Sequence, residues 1–425
     1  MRSRIGYGKR GKVGESKVCY FWRNPEVTKD FRSGVSLHSH TSQSRETLKF
    51  LALLGNRYTF MHRLMQRHEK RAQANHGMRV DYGRSYWTPP AAPKLAFDLE
   101  SGQIEKLGLA PMVSLSDHDS IQAPLLLQSS RDKKETPVSV EWTVPYRTQA
   151  FHIGVHNLPC ARACEWIQIL AAYTAHPTDT QLREILAALH AEPEALVIFN
   201  HPMWDLYRVG EDLHNHLVNE FLRENKAWIH AIELNGLRNW HENREALRLA
   251  EKWGMVLISG GDRHGLEPNA NINLTNAGCF DEFVHEIRKD KESRILFMPQ
   301  YSQPWKHRIL RSAIDIVSHY PQFPVGSQKW DERVYHPDGN GVPQPLAALW
   351  PDGTAPRAVR WGIAIVLLMG RGVFSGGLRA VWSEARELRL ALEEYKIQDP
   401  EGMPDSSVMT SGINLAQTGI TQGSN

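Results

Sequence analysis

Residues 34–44, GVSLHSHTSQS, pass from an apolar segment into two histidines that stand one residue apart. Successive side chains of a strand point to opposite faces, so His38 and His40 would lie on the same face, within reach of one metal ion. Alone, a histidine is more often a structural or surface residue than a metal ligand, and strand alternation makes such a pair easy to obtain by chance. The stretch therefore predicts a metal site only if further ligands lie downstream.

Short strand-like segments recur from residue 31 to about residue 300, and helical patterns lie between several of them. Two of the helical patterns are DTQLREILAALHAEP at 179–193 and NREALRLAEKWG at 243–254. Strands that alternate with helices predict a parallel α/β architecture. In parallel barrels the active site gathers at the C-terminal ends of the strands, so polar residues at those ends are candidates for chemistry.

Nearly every strand-like segment ends in His, Asp, Glu or Asn. After the first pair, the candidates in chain order are Asp117, His118 and Asp119 (SLSDHDS), Glu141 (VSVEW), His152 and His156 (AFHIGVH), His201 (VIFNHP), and Asp262 and His264 (LISGGDRHG). A carboxylate at the end of an apolar strand is costly unless it is paired or bound to a cation. Taken alone, SLSDHDS is explained by a turn. Six polar strand ends in order along the chain, however, indicate a metal site. Imidazoles and carboxylates without thiolate spacing suit Zn²⁺, Mn²⁺ or Fe²⁺.

This ordered set resembles the PHP family, named after polymerase and histidinol phosphatase. SLHSHTSQS resembles that family's opening DLHxHTxxS, SLSDHDS resembles xxTDHD, and FNHP resembles xAHP. IELNG is similar to IExxN, and SGGDRHG is similar to xGSDxHG. The resemblance covers roughly residues 31–270 and does not extend to the segment at 45–95 or to the chain after residue 300.

The resemblance implies an α/β fold, a distorted (β/α)7 barrel that is TIM-barrel-like, here with a helical insertion and a C-terminal extension. It also implies two or three divalent ions, Zn, Mn or Fe, at the C-terminal end of the barrel. Carried over residue by residue, the first ion would be held by His38, His40, Glu141 and Asp262. Glu141 would bridge to a second ion bound by His152 and His201, while His118 and His264 would serve a third. His156 rivals His152, because both follow the same strand.

One departure from the family pattern affects the third ion. The acid that the family carries after its HTxxS segment is replaced here by Arg45, with Glu46 next to it. Either Glu46 takes over as a ligand, or the third ion is weakly bound or absent. Ser36 and Gly261 also differ from the family, but neither is expected to be a ligand.

We divide the chain into an N-terminal arm at 1–30, a barrel at 31–300 with a basic insertion at 45–95, and a C-terminal extension at 301–425. The extension contains a long helical pattern, SGGLRAVWSEARELRLALEEYK, at 375–396. The tail from about residue 400 is expected to be disordered.

Composition places the chain among ordinary globular proteins, with 41% hydrophobic and 23% charged residues and a net charge of +3. The longest apolar run, WGIAIVLLMG at 361–370, is about half the roughly 20 residues needed to cross a bilayer. The four cysteines show no metal-ligand spacing and are expected to be buried free thiols. We therefore expect a cytoplasmic protein that makes no membrane contact; its oligomeric state stays open.

The basic insertion is the main positively charged segment. Residues 45–84 carry nine Lys or Arg against three Asp or Glu, although the whole chain has a net charge of only +3. Tyr58, Phe60, Tyr82, Tyr86 and Trp87 lie among or beside these charges and are suited to stacking on bases. Solvated helix faces with core aromatic residues explain the same composition, so nucleic acid stays an alternative partner to a small phosphate ester.

Clustered cations indicate the chemistry. Two ions about 3.5–4 Å apart bridge a hydroxide that is nucleophilic at neutral pH, and they neutralise charge on a phosphoryl group. We therefore expect a metal-dependent phosphoesterase that hydrolyses a small phosphomonoester or nucleotide. Asp117 and His264 are candidate proton carriers. Arg238 and Arg263 are candidates to bind the phosphate, although surface solvation or structural ion pairs explain each arginine at least as well.

Three other functions stay open. Exonuclease or phosphodiesterase action on nucleic acid is favoured by the insertion and disfavoured by the near-neutral net charge. C–N hydrolysis is the second, because amidohydrolases share metal sites of this kind. The third is a non-catalytic PHP domain that keeps metals for structure or binding, and the presence of His38, His40 and Asp262 argues against it.

Overall fold

The computed structural model describes residues 15–48, 83–130, 135–350 and 353–371, together with residues 63, 66, 67, 69, 70, 73, 74 and 81. All of them belong to the same unit of the chain, residues 1–385. Three expectations fall outside the described residues: most of the basic insertion, the helical pattern at 375–396 and the tail from about residue 400.

Two five-stranded sheets carry the fold in the described part of the chain. In spatial order, the first contains β1 (Glu15–Tyr20), β12 (Glu292–Phe297), β11 (Asn271–Thr275), β2 (Ser33–Leu37) and β5 (Ala110–Ser114). The second contains β10 (Val256–Gly260), β9 (Ala231–Asn235), β8 (Leu196–Asn200), β7 (Gln149–Leu158) and β6 (Val138–Tyr146). β11 and β7 pair antiparallel with both neighbours, and the other pairs are parallel. The α/β class is confirmed, but the sheets are mixed rather than purely parallel.

Two parallel bridges join the sheets to each other. Ser39 pairs with Arg263, just beyond β2 and β10, and His118 pairs with Glu141 of β6. At the first junction Asp262 N donates to His38 O at 2.6 Å, and at the second Glu141 N donates to Asp117 O at 3.1 Å. Each strand of one continuous path is joined to the next by a strand ladder or by one of these bridges. The path runs through β2, β5, β6, β7, β8, β9 and β10 and returns to β2.

Helices lie between many of the strands and after the last described strand. In chain order they are α1 (Pro93–Glu105), α2 (Gln122–Gln128), α3 (Ala163–Ala175), α4 (Asp179–Ala191), α5 (Glu211–Asn225), α6 (Trp240–Trp253), α7 (Phe280–His285), α8 (Trp305–Val317), α9 (Leu346–Leu349) and α10 (Arg357–Met369). Thr178 begins α4 by accepting a hydrogen bond from Gln181 N at 3.3 Å. Asn239 caps α6 in the same way, and Gly254 ends α6 in the left-handed conformation at φ 62°. Both helical patterns in the sequence are thus confirmed.

Buried apolar side chains hold the strand ends in place. One cluster packs Val35 and Leu37 of β2 against Ile198, Ile258 and Phe283, which come from β8, β10 and α7. A second cluster packs α1 against β5, β11 and β12. Full burial of such a side chain contributes about 1.5–3 kcal/mol, so the positions of the polar residues that follow these strands are set by the core.

A third sheet, here called the rim sheet, joins distant parts of the chain. Its strands, in order, are β14 (Pro343–Pro345), β13 (Val334–Pro337), β4 (Tyr86–Trp87) and β3 (Glu46–Thr47), all antiparallel. Thr88 N also donates to Arg333 O at 2.9 Å. The two ends of the basic insertion therefore pair with each other, and β4 also pairs with the C-terminal extension.

Arg263 is buried and tied to structural partners. Its Nε donates to Glu100 Oε1 at 2.8 Å, its Nη1 donates to Gly265 O at 2.5 Å, and its Nη2 donates to His40 O at 3.2 Å. Glu100, on α1, is fully buried and also accepts a hydrogen bond from Ser36 Oγ at 2.9 Å. The guanidinium is thus engaged in holding α1 to the ends of β2 and β10, which replaces the phosphate-binding role expected for Arg263.

In the described part of the chain, none of the helices has the length and apolar character that crossing a membrane requires. The four cysteines are free, as expected. Cys160, Cys164 and Cys279 are exposed and Cys19 is half-buried, so the expectation of burial is wrong. Each lies on a polar loop, a helix end or an edge strand rather than in the core.

We expect Arg263→Met to lower the free energy of unfolding by about 3–5 kcal/mol, because it leaves the Glu100 carboxylate buried without its counter-charge. Urea denaturation monitored by circular dichroism measures this. The double variant Glu100→Gln/Arg263→Met should lose less than Arg263→Met alone, since the unpaired charge is gone. Arg248→Met, at an exposed ion pair, is the control and should change stability by about 0.5 kcal/mol or less. Equal losses for Arg263→Met and this control would contradict the role of the buried pair.

Candidate metal centre

The polar strand ends converge on the carboxylate of Glu141, which is fully buried in β6. Its two oxygens face five imidazoles, four of which follow β2, β5 and β8, while the fifth lies in β7. Oε1 lies 3.0 Å from His38 Nε2, 3.1 Å from His201 Nε2 and 3.3 Å from His152 Nδ1, and Oε2 lies 3.3 Å from both His40 Nε2 and His118 Nδ1. The structure therefore brings together ligand candidates that are more than 160 residues apart in the chain.

Glu46 reaches the same centre from the rim sheet. Its Oε2 lies 3.2 Å from His118 Nε2 and 3.2 Å from His264 Nε2, and its Oε1 lies 3.5 Å from His40 Nδ1. Ser44 Oγ donates to Glu46 Oε1 at 2.6 Å and fixes the carboxylate. Arg45 instead lies over the ring of Tyr86, 5.4 Å from its centroid. Of the two adjacent residues, Glu46 is the one positioned to replace the acid that the PHP motif has at Arg45.

Asp262 closes the centre from β10. Its Oδ1 lies 3.5 Å from His40 Nε2, 3.5 Å from His264 Nδ1 and 3.8 Å from His38 Nε2. Its other oxygen, Oδ2, accepts a hydrogen bond from Arg238 Nη2 at 3.2 Å. Asp262 therefore links the candidate ligands to a guanidinium at the edge of the centre.

The backbone turns sharply at the residues that carry these side chains. His38, His201 and Asp262 have φ values of 60°, 25° and 55°, in the left-handed region that non-glycine residues rarely occupy. Such conformations cost of order 1–3 kcal/mol each and persist only where the surroundings impose them. Three such residues lie at strand ends around one centre. The surrounding structure therefore imposes these strained backbone conformations, and the side chains are thereby directed to the centre.

Glu233 is a functional candidate that the sequence analysis does not select. Its Oε1 lies 2.6 Å from His38 Nδ1, and its Oε2 accepts from His201 N at 2.7 Å and from Asn235 Nδ2 at 3.1 Å. Glu233 is buried in β9. A carboxylate on the second nitrogen of a ligating histidine orients the ring and raises its basicity. The signal was present in IELNG, an acid inside an apolar strand.

The donor atoms fit divalent cations. Four overlapping groups have ligand atoms that lie within 4.8 Å of one another: His40, Glu46, His118 and His264; His38, His201 and Glu233; His38, His40 and Glu141; and His118, Glu141 and His152. His38 Nε2, His40 Nε2, Glu141 Oε2 and His152 Nδ1 are buried and make no hydrogen bond within the described part of the chain. Buried polar atoms of this kind are rare unless something binds them, and nitrogen with carboxylate oxygen suits Zn²⁺, Mn²⁺ or Fe²⁺.

Electrostatics favour a cation here. Burial raises the pKa of Glu141, but the imidazoles of His38, His118 and His152 outweigh burial and hold that pKa well below its usual range. Burial lowers the pKa of His118, but Glu46 and Glu141 outweigh burial and raise it to about 10. Burial lowers the pKa of His152 to about 4. The carboxylates therefore stay ionised and attract positive charge, whether protons or metal ions.

Two candidates from the sequence are not in these four groups of ligand atoms. His156 Nδ1 lies 2.7 Å from Ser114 Oγ, and burial lowers the pKa of His156 to about 3. Between the two histidines of β7, His152 is thus the one that faces Glu141. Asp117 accepts hydrogen bonds from Thr41 N at 2.6 Å and Thr41 Oγ1 at 2.8 Å, and burial raises its pKa to about 6. This arrangement holds the chain after His40 in place and engages the Asp117 carboxylate with Thr41.

The centre opens into a cavity of about 600 Å³. Glu46, Asp119, His118, His152 and His264 form one side of it. Arg45, Arg84, Tyr86 and Trp87 line it from the two ends of the insertion, while Trp204, Tyr207 and Arg238 line it from the loops after β8 and β9. This volume lies within the range of about 300–1,000 Å³ that is typical of small-molecule sites.

No protein-family model and no curated protein matches this sequence. Among solved structures, the chain is similar to PsfC from Pseudomonas syringae PB-5123, at 13% identity and a TM-score of 0.38 over 67% of this chain and 97% of that one. It is also similar to a proposed metal-dependent phosphoesterase from Bifidobacterium adolescentis, at 15% identity and a TM-score of 0.33 over 60% and 95% of the two chains. An amidohydrolase from Chromobacterium violaceum aligns at 15% identity and a TM-score of 0.28 over 41% and 83%. These similarities are too distant to assign a function.

We expect Glu233→Gln to weaken Zn²⁺ or Mn²⁺ binding by about 10–100-fold, because the neutral amide no longer holds and polarises His38. Competition with a chelator, followed by elemental analysis, measures the affinity. Glu267→Gln, which removes a half-buried carboxylate outside the centre, is the matched control and should bind metal like the wild type. Thermal unfolding of both variants checks that the fold persists. An unchanged metal affinity in folded Glu233→Gln would show that Glu233 does not support the ligand.

Proposed function

We propose that this protein is a metal-dependent phosphoesterase of the PHP type that hydrolyses a small phosphomonoester or nucleotide. The supporting observation is the cluster of buried imidazole and carboxylate atoms, four of them without a hydrogen bond among the described residues, that opens into a cavity of about 600 Å³. We take the returning path of seven strands as a distorted barrel, with the cluster mainly at the C-terminal ends of its parallel strands.

We propose that the site holds two or three divalent ions, which are Zn²⁺, Mn²⁺ or Fe²⁺. His38, His40, Glu141 and Asp262 would hold the first, and Glu141, His152 and His201 the second. Glu46, His118 and His264 would hold the third, which is supported by the closeness of their ligand atoms. Glu141 is suited to bridging, because its two oxygens face different imidazoles.

Bound divalent ions would withdraw charge from a phosphoryl group and supply a nucleophilic water at neutral pH. The chain's own contribution includes Arg238, whose guanidinium lines the cavity beside Asp262. A guanidinium carries several donors suited to phosphate oxygens, and Arg238 Nε makes no hydrogen bond to the described residues. His264 also lines the cavity and is the proposed proton carrier where the third ion is absent; Asp117 does not line the cavity.

Hydrolysis of nucleic acid is the second candidate function. Arg45, Arg84, Tyr86 and Trp87, which belong to the basic insertion, line the cavity. Cationic and aromatic side chains together form the surfaces that bind single strands. A phosphodiester bond would then be the one that is cleaved, so the relative rates on monoesters and diesters separate the two candidates.

We expect the wild type to bind two or three metal ions per chain and to hydrolyse p-nitrophenyl phosphate with Mn²⁺. His38→Ala and Asp262→Ala should lose metal and more than about a hundredfold in kcat/KM, because each removes a proposed ligand. Elemental analysis and the release of p-nitrophenol measure these effects. His241→Ala, an exposed histidine on α6, is the control and should resemble the wild type.

Faster hydrolysis of bis-p-nitrophenyl phosphate than of the monoester would favour the nuclease instead. A protein that binds no metal and shows no turnover after addition of Mn²⁺ or Fe²⁺ would contradict both candidates. If the protein hydrolysed an amide and no phosphate ester, C–N hydrolysis would replace phosphoester hydrolysis as the proposed function.

A further inference from the structure

One wall of the cavity is apolar and comes from outside the segment that resembles the PHP family. Ile309, Ser312, Ala313 and Ile316 of α8 line the cavity. Residues spaced by three, four and seven positions share one face of a helix, so these four form a single stripe. Within the described residues, this stripe shares the cavity with the metal-binding side chains His118, His152 and His264.

The position of α8 is fixed by contacts with the loop that carries Arg238. Arg308 donates from Nη2 to Arg238 O at 2.9 Å and from Nη1 to Gly236 O, and its guanidinium lies over Tyr301, 4.4 Å from the ring centroid. Trp305 Nε1 donates to Leu237 O at 2.9 Å. The apolar stripe is therefore held in register with the proposed phosphate-binding residue rather than loosely attached.

Aromatic side chains complete the apolar lining. Tyr86 stacks on Tyr335 of the rim sheet, with ring centroids 4.9 Å apart and planes 12° apart. Trp204 lies beneath Arg238, whose guanidinium carbon is 3.9 Å from the ring centroid. Trp87 lies 5.7 Å from the ring of His264. Each ring is thus held against a protein neighbour while it still lines the cavity.

An apolar stripe exposed in a cavity is costly to leave in water, and Ile309 is 36% exposed. A small polar ester would fill only the metal end of the cavity and leave this stripe wet. An ester with a large apolar or aromatic alcohol group would cover the stripe while its phosphate reaches the metal-binding side chains and Arg238. The lining therefore favours the second kind of ligand.

We propose that the substrate is a phosphomonoester of a large apolar or aromatic alcohol, and that Ile309, Ala313 and Ile316 of α8 determine this specificity. The inference rests on the proposed phosphoesterase function and adds the substrate class and the residues that select it. The reaction transfers the phosphoryl group to water, with cleavage of the P–O bond, and releases the alcohol and inorganic phosphate.

Two esters with matched chemistry test the proposal. 2-Phenylethyl phosphate and ethyl phosphate both release a primary alcohol, so the bond that breaks is of similar reactivity. With Mn²⁺-loaded full-length protein, kcat/KM should be about tenfold or more higher for the phenylethyl ester, because only this ester covers the apolar stripe. Release of inorganic phosphate measures both rates.

Ala313→Trp fills the stripe, and the ratio of the two kcat/KM values should then fall close to one while metal content stays unchanged. Ile309→Ala removes apolar contact without adding bulk and should also lower the ratio. Arg311→Trp adds the same indole on an exposed part of α8 that does not line the cavity, so it should keep the wild-type ratio.

A binding measurement distinguishes failure of the proposed specificity from failure of the proposed phosphoesterase function. 2-Phenylethylphosphonate and ethylphosphonate carry the same anionic group on a P–C bond that is not hydrolysed, and calorimetry gives their affinities for the metal-loaded protein. Equal affinities together with equal kcat/KM values would overturn the specificity and leave the phosphoesterase function intact. Absence of binding by either phosphonate and of turnover of either ester would overturn the proposed function, and the specificity with it.

Discussion

The buried carboxylate of Glu141 is the constraint on which the rest of the structure depends. A fully buried carboxylate is stable only when opposite charge or hydrogen bonds replace its lost hydration. Here His201 Nε2 and Asn200 Nδ2 form hydrogen bonds to Oε1 at 3.1 and 3.0 Å. The nearby imidazoles of His38 and His118 supply positive charge. Because four of the five imidazoles around Glu141 follow β2, β5 and β8 and the fifth lies in the first half of the antiparallel β7, the C-terminal ends of three strands and the start of a fourth must reach the same point.

The residues that join the two sheets are also the ones that bring the candidate metal ligands together. The bridge between Ser39 and Arg263 lies next to His40 and Asp262, and the bridge between His118 and Glu141 pairs two candidate ligands directly. The core fixes where the strands end, and the sharp turns at those ends then aim the side chains inward. A change that loosened either junction would therefore disturb the fold and the centre together.

The C-terminal extension is part of this arrangement, although its sequence shows no relation to the PHP pattern. β13 pairs with β4, and β4 pairs with the strand that carries Glu46, so the extension helps to position that acid. α8 adds the apolar wall of the cavity. Metal binding thus depends mainly on the strand ends, whereas the shape of the cavity depends on segments outside them.

Local sequence patterns are enough to indicate the α/β class, the helices α4 and α6, and the strand-end candidates, because strand period, helix period and the end of an apolar segment are properties of neighbouring residues. Such patterns do not show which of His152 and His156 faces Glu141. They also do not predict that Glu46 reaches the centre or that Arg263 pairs with Glu100 of α1. Glu233 is visible as an acid in an apolar strand, but its partner lies almost 200 residues earlier in the chain. These outcomes depend on distances between remote residues. The tertiary structure decided them, because each buried charge must find its partner in space rather than along the sequence.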